Sequence, residues 1–293
     1  FIKCLDEDTE DYSALYNVVY CFDFLDQNED AIVYLNKFID KNPYSEVAWH
    51  QLGRQYYALK NYEKAVWAFD YATLIDETFL GAYMEKAKSY EKLKKYQEAI
   101  DCYNVALELD DPSSFVLLRV AKCYERLGNT EFALNYYLKT VHEDPLLDKG
   151  WIAITDFYIR QKKYQKALYY VNKAIGIDGD NSLYWKRFAA VNSALHFFEE
   201  AEYGYRKAFE SGDINLDTFT LWTDVLQYLG EFETAIEILL EASNVLRDEY
   251  EIEYRLAGLY FLMDDVTKGN LHLINGMKLE PKHLSLFQEL FPV

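Results

Sequence analysis

A column of small residues recurs at a fixed interval along this chain: Ala31, Ala65, Ala99, Ala133, Ala167, Ala201, Ala235 and Gly269, each 34 residues after the last. A side chain held to a methyl group or less at a strict period marks a place where two backbones approach closely. A larger group there would overpack the contact at a cost of about 1–3 kcal/mol. Units of that length run 12–45, 46–79, 80–113, 114–147, 148–181, 182–215, 216–249 and 250–283, with no insertion between them. Counted from the first residue of each unit, the small column stands at position 20. Position 8 is restricted in the same way (Gly53, Ala87, Ala121, Thr155, Ala189, Thr223, Ala257), and so is position 27 from Ala72 onward. Bulky rings fill the complementary columns: Tyr56, Tyr90, Tyr124, Tyr158 and Tyr260 at position 11, and Phe69, Tyr103, Tyr137 and Tyr205 at position 24.

Residues 46–79 carry the spacing most completely, with Trp49, Leu52, Gly53, Tyr56, Ala65, Phe69 and Ala72 at positions 4, 7, 8, 11, 20, 24 and 27. That spacing resembles the tetratricopeptide repeat, two antiparallel helices per unit. The resemblance implies an all-α fold, a right-handed α-α superhelical solenoid whose first helices line the concave surface and whose second helices line the convex one. The expected unit is a first helix over positions 1–14, a turn near 15 and a second helix to about 30. Gly128 and Gly230 fall at the turn, where a positive φ suits glycine. One hairpin cannot bury its apolar face alone, so the core is expected to be continuous through stacked neighbours. The joints hold Pro43, Pro112, Pro145 and Pro281 at position 32 or 33.

The ends are weaker copies. The first unit has Leu15, Val19 and Phe22 where the Trp, Gly and Tyr belong, and the last has Glu253 at position 4 and glycine at positions 20 and 27. Residues 1–11 read as an acidic lead-in, and 284–293, with LSLFQELF at helical spacing, as the start of a capping helix. A chain opening on Phe1 is expected to be a segment of a longer protein.

Hydrophobic residues make up 51% of the chain and charged residues 27%, the balance of a packed protein rather than a disordered one. A net charge of −19 argues against nucleic acid as a partner, and no apolar run is long enough for membrane insertion. Cys4, Cys21, Cys102 and Cys123 lack metal or redox spacing. Cys21 and Cys123, both at position 10, are expected to be buried thiols, which favours a reducing, cytoplasmic location.

The eight first helices together carry +1, so the remainder of the chain carries −20. Family geometry turns positions 2, 5, 6, 9, 12 and 13 toward the groove. Position 9 then gives a ladder of Arg54, Lys88 and Lys122, interrupted later by Asp156 and Asp224, and position 13 a second ladder of Lys92, Arg126 and Arg160. Arg119, Lys149, Lys186 and Arg187 add cations nearby, and His50 adds one when protonated. Tyr57 and Phe115, with Tyr16, Tyr20, Tyr228, Tyr254 and Phe261, supply aromatic surface. The competing reading is a solvated mixed-charge face, because Glu85, Glu91 and Glu125 stand close enough on the same helices to pair with these cations at about 0.2–0.5 kcal/mol each.

No HExxH, GxSxG or glycine-rich phosphate loop occurs, and the five histidines are scattered. No catalytic residue, metal ligand or cofactor is therefore expected, and the chain is not expected to be an enzyme. Some members of the family hold the C-terminal carboxylate of heat-shock chaperones in a Lys/Asn clamp. Lys186 matches its first position here, but Ala190 and Leu221 stand where asparagines belong, so that ligand is not expected. The expected function is a protein–protein interaction scaffold binding a peptide or partner protein, acidic in character, along the concave groove. The alternatives are a homodimer through the terminal repeats and the targeting half of a longer enzyme.

Overall fold

The computed structural model describes residues 4–5, 11–111 and 113–280. Pro112, Pro281, Pro292, His283, most of the 1–11 lead-in and the expected capping segment 284–293 lie outside the described residues. Sixteen α-helices follow one another among the described residues. The first helices are α1 (Tyr12–Phe24), α3 (Glu46–Ala58), α5 (Leu80–Lys92), α7 (Ser114–Arg126), α9 (Asp148–Arg160), α11 (Ser182–Ala194), α13 (Leu216–Leu229) and α15 (Tyr250–Leu262). The second helices are α2 (Asn28–Lys41), α4 (Tyr62–Ile75), α6 (Tyr96–Leu109), α8 (Thr130–Glu143), α10 (Tyr164–Ile177), α12 (Phe198–Glu210), α14 (Phe232–Val245) and α16 (Val266–Leu279). The chain divides into two compact units, residues 1–145 holding α1–α8 and residues 146–293 holding α9–α16.

Every hairpin turns in the same way. The residue at position 15 has a positive φ in all eight: Asp26, Lys60, Lys94, Gly128, Lys162, His196, Gly230 and Asp264. The next residue donates its N–H back to the carbonyl at position 11, as Asn61 does to Tyr56 at 2.8 Å and Lys95 to Tyr90 at 2.9 Å. This Schellman closure satisfies carbonyls that the helix end would otherwise leave open. Glycine occupies two of these turns. The other six hold a side chain in the left-handed region, so the closure tolerates strain of about 1 kcal/mol at each. The second helix then starts at once, with Asn61, Asn129 and Asp265 accepting backbone N–H groups of its first turn.

The small column does what its size implies. The seven alanines at position 20 have no exposed surface at all, and Gly269 is buried with them. The position-24 rings Phe69, Tyr103, Tyr137 and Tyr205 are buried beside them. The Trp49 indole N–H donates to the Pro43 carbonyl at 2.9 Å, and Trp185 donates to the Gly179 carbonyl at 2.7 Å, each tying a first helix to the joint before it. In the first unit one core runs from Leu5 and α1 through α3 to Ala82, and a second joins Ala87, Tyr103, Val120 and Cys123. The second unit has a core of Tyr205, Phe219, Trp222, Leu239 and Leu256.

The cysteine expectation needs correction. Cys102 and Cys123 are buried, and burial pushes their thiols up to about 11 and about 12. Cys21, like Cys4, is exposed.

Candidate functional site

Where first helices of neighbouring hairpins meet, as α1 with α3, α3 with α5 and α9 with α11, the groove positions divide into two kinds. At positions 9 and 13, Tyr20, Phe24, Arg54, Lys92, Lys122, Arg126 and Arg160 are exposed, whereas Lys88, Asp156 and Asp224 at position 9 are half-buried. Several residues at positions 5 and 6 are covered, although Tyr16 and Leu221 are exposed. His50 is buried against the rings of Phe69 and Phe79, with Nε2 3.3 Å from Glu85, and Tyr254 has no exposed surface. Both were expected on the open groove; His50 belongs instead to the seam with the next hairpin, and Tyr254 packs inside its own hairpin against Gly276 and Leu273.

That seam carries a repeated ion pair. Position 6 of one unit meets position 9 of the unit before it: Arg187 donates to Asp156 at 2.7 Å, and Arg255 pairs with Asp224. Earlier in the chain the signs are reversed, with Glu85 at position 6 and Arg54 at position 9, 3.9 Å apart. Between them Arg119 would face Lys88. It turns away and donates to Glu91 at 2.8 Å, beside the Tyr103 hydroxyl, which donates to the same carboxylate. Asp156 and Asp224, read in the sequence as gaps in a cationic ladder, are the partners of Arg187 and Arg255. Lys186 is spent similarly, 3.6 Å from the buried Asp213.

These contacts shape local charge. Burial pushes the Glu85 carboxyl up, but His50, Arg54 and Lys88 outweigh it and hold the group below the usual carboxylate range. For Asp213, burial is outweighed by hydrogen bonds from Thr218 and Asn215 and by Lys186. The basic lining is thus largely neutralised at positions 5 and 6. Among the described residues, Lys92, Arg126 and Lys149 are exposed with no carboxylate in ion-pair range. Phe115 is exposed, with the Arg119 guanidinium over its ring, and Tyr57 is half-buried edge-on to Tyr62.

In the first unit the site gathers into a pocket of about 400 Å³ between α1, α3 and α5, lined by Asp23, Asp26, Gln55, Arg54, Glu85 and Lys88 among others. Gln55 is buried and donates to Asp23 at 2.8 Å. Beside it α1 shows an aromatic row, Tyr16, Tyr20 and Phe24, one helical turn apart, with Tyr20 67% and Phe24 79% exposed. Sequence reasoning missed Phe24, Asp23 and Asp26. The signal was available, since Phe24 stands at position 13 of the same column as Lys92 and Arg126. No group of three or more histidine, cysteine or acidic side chains among the described residues is arranged to hold a metal.

Residues 25–106 match the family model described as anaphase-promoting complex, cyclosome, subunit 3, so that stretch is similar to that family. No curated protein sequence matches the chain. Among solved structures, a tetratricopeptide repeat protein from Parabacteroides merdae superposes with a TM-score of 0.60 at 16% identity, covering 84% of this chain and 97% of that one. The PilF structure of Pseudomonas aeruginosa gives 0.55 at 19% identity, over 71% of this chain and 95% of that one. A chain of the anaphase-promoting complex hetero-tetramer Cut9–Hcn1 gives 0.53 at 16% identity, over 88% of this chain and 51% of that one. At these identities the likeness is one of fold. The hairpin unit repeated along this chain is the tetratricopeptide repeat.

Proposed function

We propose that the chain is a non-catalytic interaction scaffold whose first-helix face, in the first unit above all, receives a segment of a partner protein. The observation that carries this reading is the open row at positions 9 and 13. Exposed Tyr20 and Phe24 on α1 lead into exposed Arg54 on α3, Lys92 on α5, and Lys122 and Arg126 on α7, with Lys88 half-buried between them. Exposed tyrosine and phenylalanine beside arginine are the residue types that anchor binding surfaces. A segment with an apolar anchor followed by acidic residues would cover the rings and meet the unpaired Lys92 and Arg126. The anaphase-promoting complex chain with a similar fold works within a hetero-tetramer, which suits a scaffold role. Four free cysteines suit a reducing compartment such as the cytoplasm.

The test is a binding comparison between the native chain and Lys92→Glu/Arg126→Glu, two exposed changes that break no ion pair. A partner captured by the native chain should bind the variant at least tenfold more weakly, with unchanged helicity. Equal binding of partner to both would remove the reading. A second reading rests on α16, where Val266, Leu271 and Ile274 are exposed. A homodimer through the terminal repeats would cover them, and light scattering across concentration separates the two.

A further inference from the structure

The second helices of the first unit carry a feature that the first-helix face does not explain. On α4, Trp67, Tyr71 and Leu74 stand at spacings of four and three and point outward, Trp67 43% and Leu74 75% exposed. With Asp70, Thr73, Glu77, Tyr83 of α5 and Val105 of α6 they line an open cleft of about 800 Å³. The aromatic wall is rigid. Tyr71 stacks on Trp49 with ring centres 4.4 Å apart, and Trp67 meets both Trp49 and Tyr71 edge-on at 5.1 and 5.3 Å. An exposed, pre-organised tryptophan is the residue type that most often dominates an interface.

Charge says what the cleft takes. From Tyr62 to Phe79, Glu63, Asp70, Asp76 and Glu77 face a single cation, Lys64. From Tyr96 to Asp111, Glu98, Asp101, Glu108, Asp110 and Asp111 face none. Such a surface repels nucleic acid and anionic lipid and attracts a basic chain. The cleft already holds an internal example. Lys86 reaches from α5 to pair with Asp70, its ammonium 5.9 Å from the centre of the Tyr83 ring. Burial lowers the affinity of that amine for its proton, yet Asp70 outweighs burial and raises it. A cation is thus stabilised between carboxylate and ring at this place.

We propose that the cleft docks a basic segment of a partner protein, its arginine or lysine side chains stacking on Trp67 and Tyr71 beside Glu77 while its apolar groups cover Leu74. The surface is separate from the first-helix face, so this partner is additional to the one proposed above. Cation–π contact with tryptophan supplies the discrimination that diffuse charge cannot.

The test uses a fluorescein-labelled peptide of alternating arginine and leucine on the full chain at physiological salt, read by anisotropy, with a glutamate-for-arginine counterpart. The arginine peptide should bind and the glutamate peptide should not. Trp67→Leu and Leu74→Gln, neither of which alters charge, should each weaken binding at least about fivefold. Lys92→Glu/Arg126→Glu should leave it unchanged. Leu74 is exposed enough that its substitution leaves the fold intact, so the test holds even if Trp67→Leu does not fold. Absence of arginine-peptide binding, equal binding of the glutamate peptide, or unchanged affinity in the charge-neutral variants would each overturn the proposal. Tighter binding of polyuridine or of anionic vesicles than of the peptide would do so as well.

Discussion

Two glycine-to-alanine substitutions should move stability in opposite directions. Gly53 lies inside α3, where alanine is intrinsically better by about 1 kcal/mol. A Cβ at Gly53 would stand 2.5–2.8 Å from three atoms of the Phe69 ring, against 3.4–4 Å for ordinary contact. The ring must therefore retreat by about an ångström, and it has little room. Phe69 has no exposed surface and packs against the His50 ring at 5.7 Å. Overpacking of this kind costs about 1–3 kcal/mol, so after the helix gain Gly53→Ala should destabilise by about 1 kcal/mol. The next unit pairs Ala87 with Tyr103, so a Cβ and a ring can coexist when the ring sits differently. There the ring is anchored through its hydroxyl on Glu91, a handle that Phe69 lacks. Gly176, in the last turn of α10, has nothing within 4 Å of its missing Cβ, so Gly176→Ala should stabilise by about 0.5 kcal/mol, less than at an interior site. Urea unfolding followed by circular dichroism reads both, and hydrogen exchange in α3 and α4 localises the first, since repeat arrays need not unfold in one step. Phe69→Leu should relieve Gly53→Ala, giving a double mutant more stable than the sum of the singles. Equal stability of Gly53→Ala and Gly176→Ala would refute the close-approach argument.

Other perturbations test the turns and the seam. Lys94→Gly removes a side chain from the left-handed region at φ 59° and should raise stability by about 0.5 kcal/mol, measured by denaturant midpoint. Arg255→Met should cost about 2 kcal/mol, because Asp224 and Glu251 are left unanswered at a buried junction, whereas Arg206→Met, which breaks a surface pair with Glu202, should cost under about 0.5 kcal/mol by the same assay. The carboxyls of Glu85 and Asp213 titrate lower in the folded chain than when unfolded. Their contribution is therefore complete above the unfolded carboxylate range near pH 4 and is lost as pH falls through the folded values. Acid titration of Glu85→Gln/Asp213→Asn should show a shallower loss of stability below about pH 5 than the native chain.

The seam between hairpins is held by pairs that local sequence spacing does not encode. The cations were read correctly as first-helix residues, and Arg54, Lys92 and Arg126 do lie open. Arg119 and Arg187 were assigned to the same surface and are occupied by Glu91 and Asp156. Their partners lie 28 and 31 residues away, outside the local spacing by which helix pairs are recognised. His50 and Tyr254 were misplaced for a related reason. His50 is covered by Phe79 and Glu85 of the next hairpin and Tyr254 by Leu273 and Gly276 of its own, contacts that exist only once the helices have packed.

The sequence alone determined the repeat length, the hairpin, the turn at position 15 and the buried small column. These follow from local geometry: a helix has one period, a close crossing admits only a methyl group, and identical units pack identically. Tertiary structure alone decided which charges remain available to a partner. Stacking sets position 6 of one unit against position 9 of the unit before it, so Asp156 and Asp224 complete ion pairs rather than interrupt a ladder. Coulomb attraction depends on distances between neighbouring hairpins, and those distances exist only once the units have packed.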